Sequence, residues 1–335
     1  MRPTFPVIGI TMGDPAGIGG EVTIKALKKL SSQLRCSPFI IGDASYLESL
    51  VRRLPLGVKI VTIDRIDREN LPFSSDMVAV LDLENLKTSR LEFGKCAPHH
   101  GKAAYEYIVK GIELASSGII DALVTAPINK ESLSKAHIHF SGHTEILTHF
   151  TQTTRFAMML FGGVLRVVLV TRHIPLKDVS QELTEERVLT AIELAHEAGR
   201  YFDTPTPRIG VCGLNPHSGE GGTIGDEELR IIIPAIKRAS QEGIDVTGPY
   251  PSDTLFYRVQ EGEYDFIIAM YHDQGLIPLK TLYFEEGVNV TLGLPFTRTS
   301  PGHGTAYDIA GKGIAGSKSM EEAIKLAIRM TQKAT

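Results

Sequence analysis

Tryptophan is absent from the chain, and aromatic residues make up only 7% of it. Cysteine is scarce. Cys36, Cys96 and Cys212 are three in number, far apart and without a Cys-x-x-Cys pair, so a disulfide framework is not expected and a reducing cytoplasm is the natural compartment. No stretch approaches the ~20 apolar residues of a membrane span. The opening MRPTFPVIGITMGDPAGIG reaches a Gly/Asp-rich turn after a few apolar residues, which fits neither a signal peptide nor an anchor. Charge is balanced as well: 35 Lys and Arg against 39 Asp and Glu give −4, no footprint for nucleic acid or an anionic membrane. What remains is 42% hydrophobic residues over 335 positions, with 32 Gly, 18 Pro and 11 His. That is ample for a packed interior, excludes global disorder, and at this length points to two α/β domains.

Short Val/Ile-rich runs recur, each followed by turn residues and then a helical pattern. VIGITM (7–12), PFIIGD (38–43), VKIVTI (58–63), MVAVLDL (77–83), DALVTAP (121–127), RVVLVTR (166–172), PRIGVCGLNP (207–216) and YDFIIAMYH (264–272) read as strands. EVTIKALKKL, with Ile24, Leu27 and Leu30 on one face, and GKAAYEYIVKGIELASSG (101–118) read as helices. Unalternating apolar strands separated by helices predict an α/β fold with largely parallel sheet covered on both faces. In such sheets ligands sit at the carboxyl ends of strands. The polar clusters here follow strands at Gly13, Pro127, His173, Asn215 and His272, which places the site in a cleft at those ends.

Three histidines follow Val/Ile-rich strands: His173 after RVVLVTR, His217 in GLNPHSGEGG and His272 in MYHDQG. Three neutral imidazoles with an open position suit Zn²⁺ or a related divalent ion. Any one alone is more simply a strand-end histidine bonded to backbone. Their equivalent topological places favour a shared site, although no local zinc-binding spacing is present. Lys280, Asn289 and Arg298 lie in one stretch, and a point charge, an amide and a forked guanidinium can share an anion. SGHTE (141–145) adds His143 and Thr144. Thr144 can cap the helix that follows, and a helix N-terminus also receives anions; Lys280 and Arg298 can equally be solvated charges. GDPAGIGG fits neither the GxGxxG nor the GxxxxGK[ST] pattern. The acidic residues closing NPHSGEGGTIGDEE (215–228) look like helix-capping groups. Asp253 and Asp273 are candidates to orient an imidazole, a substrate amine or a cation, or to accept a proton, against the commoner role of turn residues.

The strings GDPAGIGGEV, APINK, SGHTE, RHIPL, GLNPHSGEGGTIGDEE, YHDQGLIPLK and GVNVTLGLPFTRTSPGHGTAYDIAGKG closely resemble the 4-hydroxythreonine-4-phosphate dehydrogenase family of pyridoxal phosphate biosynthesis. The likeness runs from about residue 9 to about residue 314. GDPAGIGGEV and HGTAYDIAGKGIA also look like signatures of the isopropylmalate and isocitrate dehydrogenases, whose two-domain α/β/α fold binds NAD without a GxGxxG loop. The resemblance implies one domain from 1–130 plus 303–335 on the cofactor side. It implies a second, 131–302, carrying the metal and substrate motifs and the dimer contact. It carries metal ligation onto His173, His217 and His272, and substrate contacts onto His143, Thr144, Lys280, Asn289 and Arg298. NAD or NADP would lie against His303, Gly304 and Asp308. Family enzymes are homodimers with the active site at the subunit interface, His272 coming from the partner. Gly20 stands where the family usually has Pro, and Gly302 where it usually has Asp.

The implied reaction is NAD(P)-dependent oxidation of 4-phosphohydroxy-L-threonine to 2-amino-3-oxo-4-phosphooxybutanoate, which decarboxylates to 3-amino-2-oxopropyl phosphate. Zn²⁺, Co²⁺ or Mg²⁺ would serve as the Lewis acid. A paralogous dehydrogenase of threonate or erythronate 4-phosphate would use the same clamp. A three-histidine hydrolase and a non-catalytic phosphate-ligand binder remain as readings of another class.

Overall fold

The computed structural model describes residues 5–68, 71–86 and 92–332. It divides into two compact units, one made of the chain up to Thr153 with the segment from Leu294 onward, the other of Thr154–Gly293.

The first unit opens with β1 (Val7–Thr11), α1 (Gly19–Leu30), β2 (Ser37–Gly42), α2 (Ala44–Arg53), β3 (Lys59–Ile63), β4 (Phe73–Ser74) and β5 (Met77–Asp82). It continues through α3 (Pro98–Ser116), β6 (Ala122–Thr125), α4 (Lys130–Lys135) and α5 (His143–Thr151). Every residue of β1 and of β6 is buried, as a sheet covered on both faces requires. At the end of β1 the chain must turn within hydrogen-bonding distance of the residues after β6. Gly13 does so at φ +76°, where a Cβ would lie 2.4 Å from the Pro127 carbonyl; only glycine fits there.

The second unit holds β7 (Ala157–Gly162), β8 (Leu165–Leu169), α6 (Val179–Glu182), α7 (Glu185–Ala198), β9 (Ile209–Cys212) and α8 (Ile233–Gln241). It ends with β10 (Val246–Tyr250), α9 (Ser252–Gln260), β11 (Phe266–Ala269), α10 (His272–Tyr283) and β12 (Val288–Leu292). The chain then returns to the first unit with β13 (Thr297–Pro301) and α11 (Lys318–Gln332).

Strand order in the first unit is β13-β6-β1-β2-β5-β3, parallel throughout except for the short β4 against β5. In the second unit it is β10-β9-β11-β8-β7-β12. Four of those strands are parallel, while β7 runs antiparallel to both β8 and β12. The mostly parallel α/β architecture expected from the apolar runs is therefore observed. The antiparallel strands were not in the expected set. AMMLFG has no β-branched residue, and its hairpin partner is reached through a Gly163-Val164 turn with Gly163 at φ +52°, a two-residue connection.

The unit boundaries also differ from the 130/131 and 302/303 expected. Residues 131–153 belong to the first unit because α4 and α5 pack on α3. Residues 294–302 belong there because β13 pairs with β6 and is covered by α11. Among the described residues no helix is long and apolar enough to cross a membrane. All three cysteines are free thiols, and burial pushes the Cys36 thiol up to about 12.

Candidate active site

Strands β9, β11 and β8 are adjacent and parallel, so their carboxyl ends open at the same edge of the second unit's sheet. His217 follows β9, His272 opens α10 just after β11, and His173 follows β8. The rings of His173 and His272 stand with centroids 5.3 Å apart. The Asp273 carboxylate meets Nδ1 of His272 at 2.6 Å, an arrangement that orients an imidazole and leaves Nε2 for a ligand.

His217 sits in a left-handed run. His217, Ser218, Gly219, Glu220 and Gly221 have φ of 53, 53, 77, 46 and 66°. Three of these are not glycine, so the loop stores backbone strain of the kind that survives only where the surroundings enforce it. Glu228 does the enforcing. It is 2% exposed, its Oε1 accepts the N–H groups of Leu214 and Asn215 at 2.8 and 2.7 Å, and Oε2 accepts from Asn215 Nδ2 at 2.9 Å. The acidic end of NPHSGEGGTIGDEE is thus a buried clamp on its own loop, not only a helix-capping group.

As donors, the three imidazoles suit a divalent cation in kind and in shared edge. Among the described residues of one chain, however, no three His, Cys, Asp or Glu side chains gather closely enough to hold a metal ion. A single chain brings together two of the expected ligands, His173 and His272, and both belong to the same protomer.

The anion-binding residues fall in two places. In the first unit Arg298 on β13 is 3% exposed, and its Nη2 donates to Thr125 Oγ1 at 2.6 Å. Desolvation pushes its guanidinium down to about 9, which leaves it charged at neutral pH. His143 stands close enough that Arg298 acts on it electrostatically. Burial first, then the Arg298 charge, hold the imidazole well below its usual value against a hydrogen bond with the Ala126 backbone, so the ring is neutral. Its Nε2 is shielded from solvent and makes no hydrogen bond. Thr144 does not cap α5: the N-cap is Gly142, without a side-chain bond, and Glu145 instead reaches back to the Ser141 N–H at 2.6 Å.

Lys280 and Asn289 lie in the second unit. Lys280 is exposed with Nζ 6.0 Å from the centre of the Phe284 ring, and Asn289 is half-buried on β12 opposite Leu160. Asp253 is exposed in the first turn of α9.

The HGTAYDIAGKG loop is anchored at both ends. Tyr307 donates to Oδ2 of Asp14 at 2.8 Å, and Lys25 Nζ holds the carbonyls of Gly313 and Ala315 at 2.8 and 2.9 Å. Asp14, 1% exposed, also takes the Ala16 N–H at 2.8 Å. His303 Nε2 is buried without a hydrogen bond, Asp308 is exposed, and nothing lies within 4 Å of where a Gly304 Cβ would be. An unmet imidazole nitrogen beside open backbone suits a cofactor-contacting loop. Gly302 donates its N–H to Ser319 Oγ at 2.9 Å. Gly20 lies in the first turn of α1, where a Cβ would approach Leu47, Leu50 and Tyr46 at 3.2, 3.2 and 3.3 Å.

Thr125 and Asp14 were not singled out in the sequence, and Glu228 only among the acidic residues read as helix caps. Each acts on a partner far away in the chain or on backbone, and only their position beside strand ends hinted at a role.

Residues 34–327 match the family described as Pyridoxal phosphate biosynthetic protein PdxA. The chain belongs to that family. A Desulforapulum autotrophicum relative named 4-hydroxythreonine-4-phosphate dehydrogenase is 45% identical over 98% of this chain and 96% of its own. A Cupriavidus necator relative named D-threonate 4-phosphate dehydrogenase is also 45% identical, over 97% of each chain. Among solved PdxA-family relatives, the 4-hydroxythreonine-4-phosphate dehydrogenase of Klebsiella pneumoniae superposes with a TM-score of 0.90 at 42% identity, covering 99% of this chain and 100% of that one.

Proposed function

We propose that this PdxA-family chain is a nicotinamide-dependent dehydrogenase that oxidises the hydroxyl of a phosphorylated four-carbon acid, 4-phosphohydroxy-L-threonine in first place. The observation that carries the reading is the Arg298–His143 pair. A buried, charged guanidinium beside a neutral imidazole with an unmet Nε2 is built to receive an anionic ligand that carries hydrogen-bonding groups. Split names among relatives of equal identity support D-threonate 4-phosphate as the competing substrate.

Arg298 and Thr125 would fix a carboxylate or phosphate of the substrate, with the α5 N-terminus at His143 and Thr144, Lys280 and Asn289 supplying further polar contacts. Nε2 of His143 is available to a substrate oxygen or its proton. His173 and His217, with His272 of the partner subunit in a homodimer, would hold a divalent cation, Zn²⁺, Co²⁺ or Mg²⁺. Bound there, the cation supplies Lewis-acid polarisation of the hydroxyl being oxidised. Asp273 keeps the His272 ring oriented. His303, Gly304 and Asp308 would receive NAD or NADP, which when bound supplies the hydride acceptor. The oxidised product is a β-keto acid. It loses CO₂ because the electron pair left behind delocalises into the new carbonyl.

The test is reduction of NAD and of NADP by the purified chain with added Zn²⁺, on 4-phosphohydroxy-L-threonine and on D-threonate 4-phosphate in parallel. Reduction with the first compound is expected. Turnover of the threonate compound alone overturns the first-place substrate, and no reduction with either overturns the dehydrogenase reading.

A further inference from the structure

We infer that Asp14 and Tyr307 form a positioning pair that holds the 303–313 loop in the shape that receives a nicotinamide cofactor. The pair rests on the cofactor reading above and gives the GDPAGIGG turn between β1 and α1 a role. All the residues involved belong to the first unit. The loop is seated on the turn: Ile18 donates its N–H to the Thr305 carbonyl at 3.0 Å. A Cβ on Gly17 would stand 2.9 Å from the same oxygen and 3.0 Å from the Thr305 Cβ, so glycine is what lets the two backbones meet.

Asp14 is the hub of this seat. Its backbone N–H goes to the Pro127 carbonyl at 2.9 Å. Its Oδ1 takes the Ala16 N–H and its Oδ2 the Tyr307 hydroxyl, both at 2.8 Å. Tyr307 Oη also lies 3.2 Å from Ser132 Oγ on α4, where Asn129 Oδ1 caps the Ser132 N–H at 2.8 Å. Burial raises the Tyr307 phenol above its ordinary value, and the Asp14 charge adds to this against a bond from Ser132 that lowers it. The hydroxyl therefore keeps its proton and donates. One side chain in the middle of the loop is gripped by the β1 exit, 293 residues away, and by α4, 175 residues away.

The two ends of the loop are held separately, by Ser319 Oγ at Gly302 and by Lys25 at Gly313 and Ala315. Between them, the Tyr307 hydroxyl and the Ile18–Thr305 bond fix the stretch that carries His303, Gly304 and Asp308. His303 Nδ1 meets the Gly304 carbonyl at 3.0 Å, while its Nε2 is buried without a partner, so the loop holds a bonding position in reserve. Without the hydroxyl, Asp14 Oδ2 is a buried acceptor that has lost its donor, and it regains one only if the loop or the turn moves. A loop in its receptive shape for about a tenth of the time binds its ligand about tenfold more weakly.

The experiment titrates NADH and NADPH, by their fluorescence and without substrate, into the full-length wild type, Tyr307→Phe, Asp14→Asn and the double variant. Ile108→Val, in the buried core of the same unit, is the control for lowered stability, and amide hydrogen exchange of 303–313 is measured on each. Tyr307→Phe keeps the ring and removes the hydroxyl. Asp14→Asn keeps one acceptor oxygen for two donors. Each is expected to weaken the dinucleotide that the wild type prefers by about tenfold and to speed exchange in 303–313, while Ile108→Val does neither. The double variant is expected to bind no more weakly than the weaker single one, because both changes break the same bond. Unchanged affinity or unchanged exchange in Tyr307→Phe overturns the inference. A fall of the same size in Ile108→Val, or losses that multiply in the double variant, overturn it as well. If the wild type binds neither dinucleotide, the cofactor reading fails separately. The pair then stands or falls on exchange in 303–313, and no change there refutes it.

Discussion

Arg298→Met is the most informative single change, because the structure puts a size on what the native guanidinium costs. Desolvation pushes Arg298 from its ordinary value down to about 9. That difference, at 1.36 kcal/mol per unit, is about 5 kcal/mol of penalty on the charged form. The sign follows from the two states. At pH 7 the group is protonated both folded and unfolded, so the penalty is fully present, and it fades only as pH rises from about 9 toward the ordinary guanidinium value. Methionine has no charge to desolvate and similar reach. Against the gain stand about 1 kcal/mol for each lost hydrogen bond, the one to Thr125 among them, and about 1–2 kcal/mol for imperfect packing. The ligand-free variant is therefore expected to be more stable by about 2 kcal/mol in urea titration at pH 7. The KM for the phosphorylated acid should rise by about 10–100-fold, as loss of a charge-assisted contact dictates. A variant less stable than wild type by more than about 1 kcal/mol would refute the reasoning. It would mean that the buried charge holds the fold together rather than standing ready for a ligand.

Three smaller predictions use the same unfolding and kinetic assays. His143 stays neutral in the fold but gains a proton when unfolded below about pH 6.5, so its contribution is full above that value and drains as pH falls. His143→Gln should flatten the acid limb of the stability profile by at most about 1.4 kcal/mol per pH unit, and an unchanged limb in urea titrations would count against a neutral buried ring. Gly20→Ala should stabilise by less than about 1 kcal/mol, because the restricted unfolded chain is offset by pressing on Leu47, Leu50 and Tyr46; a net loss above about 1 kcal/mol shows that those side chains cannot yield. Asp273→Asn weakens the hold on Nδ1 of His272 and should loosen Zn²⁺ by about tenfold, which isothermal titration with the metal alone will read; unchanged affinity removes Asp273 from the positioning set.

Much of the parallel sheet was legible in the sequence because its strands are runs of mostly apolar residues with no alternation. β1, β6, β9 and β11 carry no polar face, and their short length, Val/Ile content and flanking turns favour strand over a buried helix. β13 was invisible for the opposite reason. TRTSP is polar, yet Arg298, Thr299 and Ser300 are all buried, with Arg298 Nη2 donating to Thr125 Oγ1 and Thr299 Oγ1 to the Ala323 carbonyl. β7 hid because Met, Leu and Phe serve helices equally well. The neighbourhood of His173 and His272 could be read, since the residues after parallel strands share an edge. The roles of Asp14 and Glu228 could not. Their partners are set by tertiary contact, Tyr307 lying 293 residues from Asp14, and an aspartate in a Gly-rich turn has no local signature of such a partner.

The substrate question turns on one group, an ammonium in phosphohydroxythreonine and a hydroxyl in threonate phosphate. An ammonium is repelled wherever Arg298 governs the potential, and after burial that same charge helps to hold His143 neutral. It gains beside a carboxylate, and Asp273 on the second unit's histidine edge is 68% exposed at its side chain. A hydroxyl is nearly indifferent to either. On the function proposed above, the anionic end of either substrate would go to Arg298, and Asp273 is the carboxylate that would favour the amine. Asp273 then carries two jobs that a single substitution can separate. Asp273→Asn keeps a polar contact for His272 but removes the charge. Loss of metal affinity alone should lower turnover of both compounds in proportion, whereas a fall confined to the amino compound locates substrate choice at that carboxylate.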